Sequence, residues 1–372
     1  MKSFRDMNLS EQLLKNLEKL NITTPTEIQE KAIEPGLAGR DILACAQTGT
    51  GKTLAYLIPV IEKLRMNQSA HALILVPTRE LGIQVLGVVK QVFNNNAEIF
   101  AALLIGGESF GRQARDLESK KTRIIIGTPG RVIDHLERGT LETNNIQMLV
   151  LDEMDRMFDI GFAPQINSIL KELPKKIQKF LFSATITNQV AKIVEALLYN
   201  PEKILMKEEN RLSAVATISQ EVVHIQGNEK YSVLVEQLGK KSEDSGAVII
   251  FVKTKHGAKK LAQKLIGDKF ATFIMHGDLT QERRRKEIAG FRIPNKKGNL
   301  RIMVATNVAA RGIDIQDVNN VINYDLPQTV EEYVHRIGRT GRGGRSGKSL
   351  SLVSKEDRRM WKMIERNVIK AN

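Results

Sequence analysis

Short runs of apolar, largely β-branched residues recur along the chain, each followed by a small polar cluster and then by apolar residues at helical spacing. This order of strand, polar turn and helix is typical of a parallel α/β sheet. In the first half the runs are 42–45, 72–76, 124–126, 148–151 and 180–182. In the second half they are 248–252, 272–275, 302–304, 321–322 and 350–353. The pattern therefore predicts an α/β protein with two tandem, doubly wound parallel-sheet domains.

A polar stretch at 206–216 separates the two sets of runs and follows Asn200-Pro201, which favours a short linker there. We therefore predict an N-terminal domain at 1–205, a linker at 206–216 and a C-terminal domain at 217–372. Ahead of the first strand, four leucines at helical spacing follow Ser10 and predict a helix that Ser10 caps and that packs on the sheet. These leucines are Leu13, Leu14, Leu17 and Leu20.

Composition limits the classes of protein that need considering. The 372 residues are 42% hydrophobic and 26% charged, which is enough apolar material for two cores and excludes a disordered chain. No apolar run is long enough for a membrane helix, and the first ten residues lack the apolar block of a secretion signal. The single cysteine, Cys45, can form no intrachain disulfide. We expect a cytoplasmic protein with no membrane partner.

The net charge of +14 is unevenly distributed along the chain. Residues 1–205 carry 25 basic and 23 acidic residues, a balance of +2, whereas residues 206–372 carry 31 and 19, a balance of +12. Cationic surfaces gather nucleic acid because binding releases its counterions. The imbalance favours a polyanionic partner for the second half, with a merely basic, solvated surface as the alternative.

Residues 46–53 follow the first strand and have the pattern of a phosphate-binding loop. They are Ala46, Gln47, Thr48, Gly49, Thr50, Gly51, Lys52 and Thr53. Glycines let backbone N–H groups face phosphate oxygens, a lysine reaches the terminal phosphates, and a hydroxyl can ligate Mg²⁺. Ala46 stands where the strict pattern has glycine, so a purely structural glycine-rich turn stays open as an alternative.

A second candidate for phosphate chemistry is the acidic pair at the end of the 148–151 run. Asp152 can hold Mg²⁺, through water because this ion keeps part of its hydration shell, and Glu153 is placed to orient and deprotonate an attacking water. The alternative is that the two acids only open a helix, where negative charge suits the dipole.

Phosphoryl transfer also needs positively charged groups beside the negative charge of the transition state. Residues 335–342 of the second half can supply them. Arg339 and Arg342 lie three residues apart beside glycines that permit close approach. If they complete a site built in the first domain, hydrolysis requires the domains to close. The alternative is that this run is only a basic surface for nucleic acid.

The combined motifs resemble the DEAD-box ATP-dependent RNA helicases of helicase superfamily 2, in family order and over essentially the whole chain. Residues 155–162 and 253–258 look most like the bacterial RhlE-type subgroup. The resemblance implies two RecA-like domains, ATP and Mg²⁺ as cofactors, and RNA that is unwound as ATP is hydrolysed in the cleft between the domains. It also implies a monomer and leaves room for ribonucleoprotein or RNA-decay partners.

The resemblance also assigns roles to individual residues. Residues 25–29 look like the adenine-binding Q motif, in which Gln29 would bond the adenine edge and Phe4 would stack on the ring, while Asp314 would contact the ribose. The residues that would bind the RNA backbone are Thr78, Arg79, Gly106, Gly107, Thr128, Arg131, Thr254, His276, Gly277 and Thr306. Those that would couple hydrolysis to unwinding are Asp155, Ser183, Thr185 and His335.

Two positions depart from the family pattern. Met154 stands where the family has alanine, and its extra volume puts the contact between Asp155 and residues 183–185 in doubt. Asn307 stands where the family usually has aspartate, which removes a negative charge near the expected RNA surface. Met154 keeps a second function open, an ATP-dependent RNA clamp with little strand separation. A third is a small-molecule kinase, which leaves the second-half motifs and the +12 balance unexplained.

Overall fold

The structure, a computed structural model, describes residues 3–46, 49–93, 99–119, 121–186, 188–206, 218–226, 229–240, 246–293, 300–307, 318–341 and 346–369. It divides into two compact units, Met1–Met206 (unit 1) and Lys207–Asn372 (unit 2). Apart from Met206, the predicted linker at 206–216 lies outside the described residues. In the part of the chain that the structure describes, no helix is long and apolar enough to cross a membrane.

Unit 1 alternates strands and helices. Its described strands are β1 (Ile42–Cys45), β2 (His71–Leu75), β3 (Phe100–Leu104), β4 (Thr122–Gly127), β5 (Ile146–Leu151), β6 (Gln178–Ser183) and β7 (Glu202–Leu205). Its described helices are α1 (Glu11–Lys19), α2 (Glu27–Leu37), α3 (Lys52–Met66), α4 (Arg79–Phe93), α5 (Phe110–Glu118), α6 (Pro129–Glu137), α7 (Met154–Asp159), α8 (Ala163–Glu172) and α9 (Asn188–Leu197).

Unit 2 repeats this alternation. Its described strands are β8 (Ile218–His224), β9 (Ala247–Val252), β10 (Ala271–Met275), β11 (Arg301–Thr306), β12 (Val318–Asn323) and β13 (Gly347–Val353). Its described helices are α10 (Lys230–Lys240), α11 (Lys255–Gly267), α12 (Gln281–Arg292), α13 (Val330–Ile337) and α14 (Arg358–Ile364), the last followed by a π-helical turn at Glu365–Ile369.

Each unit is built on one parallel sheet, which confirms the predicted fold class. The strand order is β3-β4-β2-β5-β6-β1-β7 in unit 1 and β10-β11-β9-β12-β13-β8 in unit 2. Every predicted apolar run overlaps a strand, and the helix predicted behind Ser10 is α1, where the Ser10 hydroxyl accepts a hydrogen bond from the Leu13 N–H. The crossovers place helices on both faces of each sheet.

Three strands were missed by the sequence pattern, and all three are at sheet edges. They are β3, β7 and β8. An edge strand has a neighbour on one side only, and the side chains of all three strands are partly exposed. Charged residues interrupt the apolar runs of β7 and β8, as at Lys203 and Glu221, whereas the run in β3 is unbroken. Charge in a partly exposed strand thus hides β7 and β8 from a search for apolar runs.

The topology gathers the predicted site residues of each unit by their expected role. In unit 1, the phosphate loop follows β1 and Asp152 follows β5, the two strands that flank β6. The predicted RNA-binding residues follow β2, β3 and β4. In unit 2, the described predicted RNA-binding residues lie at the ends of β9, β10 and β11. Each parallel sheet thus offers a common edge for ligands, as expected for this architecture.

Close packing of α6 on the sheet fixes the end of β4 at glycine. A Cβ on Gly127 would lie 2.5 Å from Val132 Cγ2 and 3.1 Å from the Leu104 carbonyl oxygen. We expect Gly127→Ala to lower the free energy of unfolding by about 1–3 kcal/mol, because neither α6 nor the backbone of β3 can yield without loss of packing. Urea denaturation measures this change.

Gly130 provides the matched control, since a Cβ built there meets nothing within 4 Å and the residue lies in α6. Gly130→Ala should leave stability unchanged or raise it by up to about 1 kcal/mol, through better helix propensity. Equal midpoints for the two variants would contradict the close approach of α6 to β4.

Candidate functional site

Backbone hydrogen bonding and glycine conformation set the course of the phosphate loop after β1. The Ala46 N–H donates to the Ser183 carbonyl at 2.9 Å, which holds the start of the loop between β1 and β6. Gly49 and Gly51 have φ of +89° and +92°, a left-handed conformation that favours glycine. Helix α3 then begins at Lys52, so its N-terminus faces the loop. Gln47 and Thr48 lie outside the described residues.

Lys52 is buried and already has a polar partner. Its Nζ donates to the Ala46 carbonyl at 2.9 Å, across the mouth of the loop. Thr53 follows it in the first turn of α3 and is half-buried. The ammonium therefore lies at the loop, where it can exchange the carbonyl for a phosphate oxygen.

Helix α2 and its N-cap, which contain the predicted Q motif, hydrogen-bond to the phosphate loop. Gln29 Nε2 donates to the Gly51 carbonyl at 3.0 Å and its Oε1 accepts from the Thr26 N–H at 3.0 Å, while Thr26 Oγ1 donates to the Thr50 carbonyl at 2.7 Å. A side-chain amide has two donors and two acceptor lone pairs, so one donor and one lone pair of Gln29 remain for a base. Adenine binding by Gln29 stays a prediction.

Phe4 does not lie at the surface. It is 2% exposed and belongs to the apolar cluster that packs α1 and α3 on the sheet. Its predicted stacking on adenine stays a prediction, and it requires this packing to open.

Asp152 is a buried carboxylate at the end of β5. Its Oδ2 accepts a hydrogen bond from the Tyr56 hydroxyl at 3.0 Å, and its Oδ1 accepts from the Glu153 N–H at 2.9 Å. Burial raises the pKa of Asp152 to about 6, against the opposing charge of Lys52. Sequence reasoning missed Tyr56, although its place one turn after Lys52 in α3 was the available signal.

Glu153 is held by a buried ion pair and by an unusual backbone. Its φ is +51°, in the left-handed region, and its Oε2 lies 2.6 Å from Nη1 of Arg156. The two side chains are 12% and 8% exposed. Arg156 was not singled out from the sequence, but its spacing of three residues on α7 is one at which side chains meet. The predicted base is therefore paired with a cation in this structure.

Asp155 joins the ends of β5 and β6, which is the contact that Met154 put in doubt. Its Oδ2 accepts from the Ala184 N–H at 3.1 Å and from the N–H and hydroxyl of Thr185, both at 2.9 Å. The Asp155 N–H donates to Ser183 Oγ at 3.2 Å. Met154 is 0% exposed and packs in the apolar cluster on this face of the sheet, so its volume is accommodated.

The predicted RNA-binding residues of unit 1 lie together. Thr78 and Arg79 open α4 after β2, Gly106 and Gly107 follow β3, and Thr128 and Arg131 open α6 after β4. The backbone of Gly106 lies against the Arg79 guanidinium, because a Cβ at this glycine would be 2.9 Å from Nη2. Arg131 Nη1 donates to the Glu108 carbonyl at 3.2 Å. The sheet edge thus presents hydroxyls, guanidinium groups and open backbone.

In unit 2, Thr254 caps α11, and His276 and Gly277 follow β10. The Thr254 hydroxyl accepts from the Gly257 N–H at 3.0 Å, and His276 Nδ1 accepts from the Asp278 N–H at 3.3 Å. Thr306 ends β11. His335 lies in the last turn of α13 and is half-buried, as is Arg339 just beyond it. Asp314 and Arg342 lie outside the described residues.

The second departure, Asn307, contacts a buried arginine. Arg336 is 4% exposed, and its Nε donates to Asn307 Oδ1 at 2.5 Å. Its Nη1 donates to Asn323 Oδ1 at 3.0 Å and to the Asp325 carbonyl at 2.6 Å. The guanidinium also lies 5.0 Å from the centre of the Phe251 ring. Asn307 therefore holds the arginine that joins α13 to β11 and β12.

Met154 should contribute to stability as an ordinary core residue. We expect Met154→Ala to lower the free energy of unfolding by about 2–5 kcal/mol, because it leaves a cavity in a fully buried cluster. Chemical denaturation measures the loss. The control is Met66→Ala, the same substitution at a side chain that is 87% exposed, which should change little. Similar results for the two variants would contradict the packing of Met154.

Asn307→Asp should stabilise unit 2. A carboxylate at this position would accept from Arg336 with opposite charge, and charge-assisted hydrogen bonds exceed neutral ones by about 1 kcal/mol. The expected rise in the thermal unfolding midpoint is tested against Asn144→Asp, which adds the same charge at an exposed position of unit 1. A lower midpoint in the Asn307 variant alone would show that Arg336 gains nothing from a charged partner.

Two family models match the chain: "DEAD/DEAH box helicase" over residues 26–193 and "Helicase conserved C-terminal domain" over residues 229–344. A relative named ATP-dependent RNA helicase CshA, from Listeria monocytogenes, is 38% identical over 367 residues, covering 98% of this chain and 68% of the relative. RNA helicase CrhR from Synechocystis is 39% identical over 364 residues, covering 98% and 72%. These names give no support to the expected RhlE-type subgroup.

Solved structures agree with these matches. The chain resembles S. cerevisiae Dbp5 bound to RNA and ADP BeF3, with a TM-score of 0.84 and 33% identity over 98% of this chain and 93% of the other. It also resembles Mss116p bound to ssRNA and AMP-PNP, with a TM-score of 0.86 and 29% identity over 98% and 76%. With both family models in order and relatives aligned along nearly its whole length, the chain belongs to the DEAD-box ATP-dependent RNA helicases.

Proposed function

We propose that this protein binds the backbone of single-stranded RNA across both units and separates short RNA duplexes locally as it hydrolyses ATP. The observation that carries the proposal is the set of hydrogen bonds from residues 184–185 to Asp155. This carboxylate lies two residues after the predicted base Glu153 and binds the turn after β6. A change at the nucleotide can therefore be transmitted to a neighbouring segment of the sheet edge.

The nucleotide site is proposed to use the side chains at the ends of β1 and β5. Lys52 would bind the terminal phosphates, Glu153 would accept the proton of the attacking water, and Arg339 and Arg342 of unit 2 would stabilise the transition-state charge. An arginine supplied in this way is worth on the order of 10³–10⁵ in rate, so hydrolysis would depend on the approach of unit 2.

Mg²⁺ is the ion that this donor set fits. Asp152 is one buried carboxylate and Thr53 one hydroxyl, and Mg²⁺ is commonly held by one or two protein oxygens together with phosphates and water. When bound, the ion would neutralise charge on the phosphate oxygens. With a pKa of about 6, Asp152 is mostly ionised at neutral pH and available as a ligand.

The RNA site is proposed to read the backbone and not the bases. The residues assigned to it offer hydroxyls, guanidinium groups and backbone N–H groups, which bind phosphate and sugar without base information. Affinity should therefore depend weakly on RNA sequence. We further propose that the protein acts as a monomer in the cytoplasm, with RNA or ribonucleoprotein substrates.

The proposed activity is tested by ATP turnover with single-stranded RNA, with single-stranded DNA and with no polymer, together with displacement of a short RNA duplex in a single turnover. We expect stimulation by RNA and release of one strand. Equal turnover in all three conditions would contradict an RNA-dependent ATPase. Tight RNA binding without strand release would instead favour an RNA clamp.

Glu153→Gln should preserve nucleotide binding and slow hydrolysis by about 10²–10⁴-fold, because an amide cannot accept the proton of the attacking water. Single-turnover hydrolysis measures the rate, and fluorescent nucleotide titration measures the affinity. The matched control is Glu172→Gln on the exposed end of α8, which should leave both unchanged. Rapid hydrolysis by Glu153→Gln would reject Glu153 as the base.

A further inference from the structure

Helix α11 of unit 2 carries a one-sided array of lysines. Its buried side consists of Ala258, Leu261, Ala262 and Leu265. Lys255 and Lys259 are one helical turn apart, as are Lys260 and Lys264, so all four lysines lie on the opposite, exposed side. We call this surface the α11 lysine face. The helix contains no aspartate or glutamate.

The lysines of this face have fewer carboxylate partners than the basic residues of α12. On α12, Lys286 pairs with Glu282 at 2.8 Å and Arg283 pairs with Glu287 at 2.7 Å. On α11, Lys255 pairs with Asp278 at 2.9 Å, and Lys264 lies 4.8 Å from the ring centre of Tyr231. Among the described residues, no carboxylate lies within ion-pair distance of Lys259 or Lys260, although Lys255 and, more weakly, Lys259 lower the pKa of Asp278.

Only Lys264, in the last turn, suits the dipole of the helix. Cations near a helix N-terminus oppose the dipole, and Lys255 is the first residue of α11. The lysines also do not follow acidic residues at the spacing that stabilises a helix surface. An exposed array of like charges with few carboxylate partners is a surface suited to an anionic ligand outside the fold.

The lysine face adjoins residues already assigned to RNA. Thr254 caps α11, and the Lys255–Asp278 ion pair joins the helix to the segment that contains His276 and Gly277. Burial lowers the pKa of His276, and the positive charge of Lys259 lowers it further. Lys259 is therefore close enough to act on the same ligand electrostatically.

We propose that the α11 lysine face binds the phosphate backbone of RNA that continues beyond the segment held by Thr254, His276 and Gly277. This inference rests on the proposed function and adds a contact to it. Exposed lysines act as point charges on phosphates, so the contact is independent of sequence and adds to the salt dependence of binding. It favours long or structured RNA over short oligonucleotides.

The test is the double substitution Lys259→Gln with Lys260→Gln, compared with Lys175→Gln and Lys176→Gln. The control pair is exposed in unit 1, removes the same charge, and precedes β6 at the edge opposite the predicted sites. Affinity is measured for a hexanucleotide and for an RNA duplex with a single-stranded overhang, each with ATP analogue and over a range of salt. Unchanged thermal midpoints confirm that both variants fold.

We expect the α11 variant to bind the overhang duplex about tenfold more weakly, with the salt slope reduced by about 1 per lysine, and to bind the hexanucleotide normally. Unchanged duplex affinity would overturn the proposal. So would an equal loss in the control pair, which would indicate a general charge effect, or an equal loss on the hexanucleotide. Failure of wild-type protein to turn over ATP with the hexanucleotide would instead count against the proposed function.

Discussion

The arrangement of this protein depends on the parallel direction of its strands. Because all carboxyl ends meet at one edge, residues far apart in the sequence become neighbours without any long loop. Strands β1, β6 and β5 bring the phosphate loop, residues 183–185 and Asp152 together, while β2, β4 and β3 carry the polar residues expected to bind RNA. Asp155 lies where these two groups adjoin, since β5 is hydrogen-bonded to both β2 and β6.

The sequence predicts the central strands and the glycine turns of the phosphate loop because both follow from local chemistry. A strand covered on both faces must be apolar, and a loop that turns N–H groups outward needs glycine, so both are visible in the residues themselves. Edge strands such as β7 escape this reasoning because solvent removes the need for an apolar run. The role of Tyr56 escapes it for another reason, since its bond to Asp152 joins residues 96 positions apart.

The effect of the two departures from the family pattern depends on the residues that surround them. Met154 is larger than the expected alanine, yet it lies in the core and leaves all three hydrogen bonds to Asp155 Oδ2 in place. Asn307 loses a charge but keeps an acceptor for Arg336. In both cases the sequence reveals the substitution, and only the neighbours reveal its effect.

If Lys52 binds the terminal phosphates as proposed, its hydrogen bond to the Ala46 carbonyl competes with the nucleotide. The ammonium gives up a satisfied acceptor before it can neutralise a phosphate, and the vacated oxygen then needs water or another donor. Net affinity is therefore the difference between two occupied states of one lysine. The cost of breaking this bond is the same for every nucleotide, so it lowers the affinity for all of them without changing their order.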